Sequence, residues 1–260
     1  MTKILKRALC AALLASLVPA GPALAADSGG TAFAATSAIS SIVPRSAPRS
    51  ILIDASSATL FMIEKGQVVD TMKVIVGKPA EPTPELNTSL TYATINPYWH
   101  VPADIARTLT APNVLKQGTE YLTSHGYEVM SSFGPDGEVL DPDTVDWQAV
   151  ADGRETVLVR QRPGPANSMG RMKFSLAAGD GIFLHDTPKK ELFEQDDRNL
   201  SAGCIRLEDA PRLAHWLLGD SVPLSADVPE EQIPMRSYVP VKITYLDPQA
   251  HMQLAALASR

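Results

Sequence analysis

Cysteine is almost missing from this 260-residue chain, which holds only Cys10 and Cys204. Cys10 falls inside an N-terminal processing segment, so the rest keeps one thiol and no internal disulfide framework. Long hydrophobic runs are missing too. The N-terminal one, Ala8 to Val18, is shorter than the roughly 20 residues of a membrane span and is broken by Pro19, Gly21 and Pro22. No membrane span is therefore expected. No cluster of lysine or arginine occurs, and the formal net charge is −6. That balance speaks against nucleic acid or anionic lipid as a partner. Metal-ligand spacing is absent as well. Asp141, Asp143 and Asp146 lack the glycine-containing loop and closing glutamate of a calcium site, and His100, His125 and His215 stand apart from other ligands. Neither a metal nor an organic cofactor is expected, and there is no fixed-period internal repeat.

What is present starts with an export signal. Lys3, Lys6 and Arg7 form a positive n-region, Ala8 to Val18 the apolar stretch, and Ala23-Leu24-Ala25 a small-residue cleavage site. Residues 1–25 read as a signal peptide, which places the protein in the periplasm or cell envelope. The segment carries three basic residues and no acidic ones, so its removal leaves 235 residues with a net charge of −9. Residues 26–49, rich in Ala, Ser, Gly and Thr, read as a flexible linker. A single domain is expected over 50–260.

The domain reads as mostly β with a few short helices. Ile51-Leu52-Ile53, Thr59 to Ile63 and Val68 to Val76 are strand-like, the last two joined by a Lys65-Gly66 hairpin turn. Thr88 to Ile95, Val157 to Arg160, Met172 to Leu176, Gly181 to His185 and Met235 to Leu246 add further strands. Apolar spacing at Ile105, Leu109 and Leu115 predicts a helix interrupted by Pro112, and Asp209 to Leu218 predicts an amphipathic one. Residues 97–155 read as a lid-like insertion between two strands of the main sheet, with turns at Pro102, Pro112, Gly118, Gly134 and Gly137 and anchors Tyr98, Trp99, Tyr121 and Trp147.

The chemistry concentrates in 181–207. His185 stands at a strand end, and the remaining cysteine, Cys204, follows nineteen positions later. A thiolate is a nucleophile, and a neighbouring imidazole can take the thiol proton. Gly203 permits a tight turn that aims backbone N–H groups at a developing oxyanion. Spacing alone is a weak signal for such a couple.

The stretch resembles the L,D-transpeptidase catalytic domain, the YkuD domain, whose signature is a His, fourteen to seventeen residues, then Ser/Thr-His-Gly-Cys. Here His185 is followed by fifteen residues and Ser201-Ala202-Gly203-Cys204. Ala202 stands where the signature has its second histidine. Val76-Gly77-Lys78-Pro79, Ile95-Asn96-Pro97-Tyr98-Trp99, Gly164-Pro165-Ala166-Asn167, Gly170 and Lys173-Phe174 are similar to the YcbB-like subgroup.

The resemblance implies a two-step acyl transfer that cross-links peptidoglycan stem peptides, donor and acceptor. Cys204 is then the nucleophile and His185 the base. Asp186 holds the imidazole through an oxygen, and Gly203 with Cys204 supplies oxyanion donors. Arg206, Ser201, Tyr98 and Trp99 are the substrate-binding candidates, and carbapenem antibiotics are implied as covalent inhibitors. Two other readings compete: an L,D-carboxypeptidase or wall-protein-detaching hydrolase, in which the same acyl-enzyme passes to water instead of an amine, and a non-catalytic wall-binding module.

Overall fold

A computed structural model describes residues 47–178, 181–220 and 228–258. The expected signal peptide and nearly all of the expected linker lie outside these residues. Ala47 is already buried, and the first strand, β1, starts at Arg49. The main sheet has nine strands in the order β11-β3-β12-β10-β9-β4-β13-β1-β2. Their spans are β1 Arg49–Asp54, β2 Thr59–Glu64, β3 Gln67–Gly77, β4 Leu86–Ile95, β9 Met172–Leu176, β10 Phe183–His185, β11 Asn199–Ser201, β12 Ile205–Leu207 and β13 Glu231–Thr244. β2 also pairs with β3 through the Lys65-Gly66 hairpin, so the sheet closes on itself as a barrel. The mostly β reading is thereby met.

Continuous apolar runs in β1 and β2 have a physical cause. Ile51, Ile53, Leu60 and Met62 point into the main core, while Leu52, Phe61 and Ile63 point to the opposite face. That second face is covered by the C-terminal helix Pro248–Ala258 through Leu254. Strands covered on both sides lose the polar alternation of a half-exposed sheet. The helix Ala210–Leu218 adds Leu213, Leu217 and Leu218 to the main core. The Asp209 carboxylate accepts the Arg212 N–H at its start, and the helix ends at Gly219. Burying each of those leucines is worth roughly 2 kcal/mol.

Between β4 and β9 lies a second, four-stranded sheet, ordered β5-β8-β6-β7. Its strands are β5 Trp99–His100, β6 Tyr127–Met130, β7 Val139–Leu140 and β8 Leu158–Gln161. This revises the insertion boundary. The 157–160 strand does not return to the main sheet; it pairs with β5 and β6. β4 and β9 pair directly, Ile95 opposite Met172, so the insertion runs to about 171. Buried Asn167 closes its neck by donating to the carbonyls of Pro97, Gln161 and Arg162.

The insertion has its own apolar core, including Val101, Val114, Leu122, Val129, Trp147 and Val159. Shortening it between Gly118 and Trp147 would cut that core open, so any motion of the insertion is that of a packed body. Its helical run, 103–117, also faces differently from the spacing expectation. Leu109 and Leu115 are each 48 % exposed, and Ala106, Thr110, Ala111 and Val114 face inward. A π-helical stretch, Ala106–Thr110, precedes Pro112 and shifts the phase of the helix. Asp141, Asp143 and Asp146 spend carboxylate oxygens on the Asp143 N–H, the Thr119 hydroxyl and the Ala149 N–H.

Candidate active site

β10 and β12 are adjacent and parallel, with Leu184 opposite Ile205 and His185 opposite Arg206. This register brings together residues nineteen apart in sequence: His185 ends β10, and Cys204 immediately precedes β12. His185 is 5 % exposed, and its Nδ1 lies 2.5 Å from the Asp186 carbonyl oxygen. A carbonyl oxygen can only accept, so Nδ1 carries the hydrogen and Nε2 keeps the lone pair of a base. Asp186 thus orients the imidazole through its backbone.

The Asp186 side chain secures that backbone. One carboxylate oxygen accepts the Arg171 N–H at 2.9 Å and the other pairs with Lys190 Nζ at 2.7 Å. Lys190 also donates to the carbonyls of Leu207 and Glu208, tying the residues after His185 to the end of β12. The sequence reading missed Lys190, because nothing local marks it.

Both members of the couple rest neutral. Burial pulls the His185 pKa down to about 4; the Asp186 carbonyl opposes this and the charges of Arg206 and Lys173 add to it. Burial pushes the Cys204 thiol up, against the Phe183 backbone and the Arg206 charge. The thiol donates to the Gly181 carbonyl at 3.6 Å, so it points along the 181–183 segment. The two groups therefore do not rest as a preformed thiolate–imidazolium pair.

A stability prediction follows. An unfolded histidine titrates near pH 6.5 and the native one near 4, so the unfolded state binds more protons between those values. Stability rests at its full value above pH 6.5 and falls by about 3 kcal/mol as pH drops through 4. Urea melts from pH 7 to 4 check it: His185→Gln should flatten the loss, and an equal loss in that variant would exclude His185 as its source.

The loop bearing the thiol is braced internally. The Ser201 hydroxyl donates to the Cys204 carbonyl at 2.6 Å and accepts the Gly203 N–H at 3.1 Å. Two expectations change. Ser201 is buried and both of its hydroxyl's hydrogen bonds lie inside the loop. The Gly203 N–H is engaged by Ser201 and is not a free oxyanion donor. Gly203 still matters through its backbone, since φ is +106° and the Ile182 side chain lies 3.2 Å from where a Cβ would sit. Thr83, also missed, links two loops: its hydroxyl accepts the Gly77 N–H and donates to the Gly203 carbonyl, both at 2.8 Å.

Arg206 lies next to the couple, and burial lowers its pKa. Among the described residues no carboxylate lies within ion-pair distance of its guanidinium. Tyr98 and Trp99 belong to the insertion. Trp99 packs on its core beside Tyr127, and Tyr98 lies under the Arg160 guanidinium at 4.4 Å.

Comparison with known proteins gives the chain a family. The model of the YkuD family, the L,D-transpeptidase catalytic domain, matches residues 48–241. A Haemophilus influenzae protein, named as an inferred L,D-transpeptidase, is 32 % identical over 171 residues. Those residues are 66 % of this chain and 34 % of that protein, so the chain spans about a third of its relative's length. An L,D-transpeptidase structure from Mycobacterium smegmatis superposes loosely, with TM-score 0.38 and 18 % identity over 76 % of this chain and 59 % of that one. A solved L,D-transpeptidase in complex with imipenem gives TM-score 0.37 and 18 % identity, with the same coverage. With the family match covering most of the chain, the protein belongs to the L,D-transpeptidase catalytic domain family.

Proposed function

We propose that the protein is an exported L,D-transpeptidase, with the upstream motifs of the YcbB-like subgroup, that cross-links peptidoglycan stem peptides through a Cys204 thioester. The observation that carries this reading is the parallel β10–β12 pairing. It sets a tautomerically fixed, neutral His185 beside the segment holding the one thiol of the described residues. Cys204 attacks the carbonyl between the third and fourth residues of a stem tetrapeptide while His185 Nε2 takes the thiol proton. The C–N bond breaks, and the proton passes to the leaving D-alanine amine. The Cys204 amide, next along from the engaged Gly203 N–H, faces the developing oxyanion. Arg206 meets a substrate carboxylate. An acceptor amine then displaces the thiolate and forms the cross-link. The n-region, apolar stretch and Ala23-Leu24-Ala25 of 1–25 support export to the periplasm or cell envelope.

The test is to incubate the protein with a tetrapeptide donor and a second stem bearing a free amine, then analyse by mass spectrometry. Release of D-alanine together with a cross-linked dimer is expected. D-Alanine release with only hydrolysed tripeptide would make the enzyme a carboxypeptidase, and no release would leave a binding module.

A further inference from the structure

The outer face of the main sheet carries a polar strip on the side of His185 away from Cys204. Register defines it. His185 pairs with Lys173, and Lys173 pairs with Thr94. Phe183 and Tyr92 both pair with Ser175. Residues paired directly across neighbouring strands project to one face, as do residues two apart on a strand. The opposite face, with Leu184, Phe174 and Ala93, is main core. His185, Lys173, Thr94, Ser175 and Phe183 therefore share the active-site face.

Three observations on this strip are unexplained by the couple itself. First, Lys173 is an almost buried cation, its side chain 14 % exposed. Its Nζ lies 3.5 Å from the more open carboxylate of Glu230 and 5.5 Å from the centre of the Phe183 ring. Second, the Thr94 and Ser175 hydroxyls are buried and have no hydrogen-bond partner. A buried unpaired hydroxyl costs about 1–3 kcal/mol. Third, an open cavity of about 320 Å³ is lined by Tyr92, Ser175, Gly181 and Phe183, and the Gly181 carbonyl is the acceptor of the Cys204 thiol. Ser175 and Phe183 of the strip thus line a space whose wall at Gly181 also accepts from the thiol.

We propose that Lys173 anchors an acceptor subsite for an amino acid, taking its α-carboxylate, while Glu230 holds the lysine in place. The subsite rests on the transpeptidase reading above and assigns the acceptor's side of it. Glu230 reaches Lys173 from the β13 side, which leaves the His185 side of the ammonium to an incoming carboxylate. Neighbouring strands are about 4.8 Å apart, so the order Cys204 and Arg206, then His185, then Lys173 sets the base between thioester and anchor. An amine held there approaches the thioester past His185 Nε2. The acceptor ammonium first gives one proton to solvent. Its nitrogen attacks the thioester carbonyl, the C–N bond forms and the C–S bond breaks. His185 Nε2 takes the surplus nitrogen proton and passes it to the departing sulfur, which restores the thiol.

The experiment forms the thioester from a tetrapeptide donor and lets glycine and glycinamide compete for it, with both products quantified by mass spectrometry. Each ratio comes from a single thioester, so any loss of acylation cancels. Lys173→Met and Lys173→Gln should lower the glycine-to-glycinamide ratio about tenfold or more relative to wild type, the loss of one charge-assisted contact. Lys173→Arg keeps the cation and should retain the preference for glycine. Glu230→Gln, which leaves the cation in place, should likewise retain the preference for glycine. A wild-type ratio in Lys173→Met and Lys173→Gln would overturn the subsite alone. No thioester on the wild-type protein would overturn the transpeptidase reading and the subsite with it.

Discussion

Cys204→Ala is expected to lower tetrapeptide-dependent D-alanine release by at least about a thousandfold, the scale on which removal of a catalytic nucleophile acts. The fold should survive. The side chain lies beside the 181–183 segment and makes one long contact, to the Gly181 carbonyl. The same substitution should abolish covalent capture of a carbapenem. The strained lactam carbonyl takes the place of the scissile one and leaves a thioester, so intact mass should rise by one drug equivalent on the wild type alone. The neutral resting state adds a second readout. Because burial raises the thiol pKa and lowers that of His185, iodoacetamide should alkylate Cys204 slowly at pH 7 and speed up only above the usual thiol range. Rapid alkylation at neutral pH would mean a preformed thiolate–imidazolium pair. Unchanged D-alanine release in the alanine variant would remove Cys204 from the reaction altogether.

Gly170→Ala is expected to reduce acylation about a hundredfold without touching either member of the couple. Gly170 has φ +61°, and a Cβ there would lie 2.4 Å from the Asp186 carboxylate. That carboxylate holds Arg171 and Lys190, and the same residue's backbone carbonyl orients His185. Pushing Asp186 aside turns the imidazole, and misplacement of a catalytic group by about 1 Å costs about that much in rate. Gly126→Ala is the control. Gly126 has a similar φ of +71° with nothing within 4 Å of the added carbon, so it pays only the backbone penalty of about 1–2 kcal/mol. Gly126→Ala should melt lower and keep its rate, whereas Gly170→Ala should lose rate beyond its loss of stability. Equal rates in the two variants would show that Asp186 does not position the base.

The sequence by itself was enough for most strands and for naming the two residues that the β10–β12 pairing brings together. A solitary thiol after the expected signal peptide, a histidine at a strand end and a nearly complete signature converge on Cys204 and His185. The strands of the barrel were legible because their residues are buried on one or both faces, and burial writes itself as apolar runs. The role of Asp186 was legible only as some oxygen near the imidazole; the carbonyl was selected by the chain geometry after β10.

Tertiary structure decided the rest, because pairing partners far apart in sequence leave no local periodicity. Leu158–Gln161 looks the same as a strand whichever sheet it joins, and only its register with β5 and β6 put it in the insertion. Leu109 and Leu115 fit an inward face until the π-helical stretch before Pro112 turned them outward. Thr83 carries no motif, yet its hydroxyl joins Gly77, 6 positions away, to Gly203, 120 positions away. Ser201 matched the signature but was drawn inward to brace the thiol loop. Protonation was the least legible. His185 and Cys204 are neutral because the folded barrel removes water from both, and desolvation is a property of everything packed around a group rather than of its neighbours in sequence.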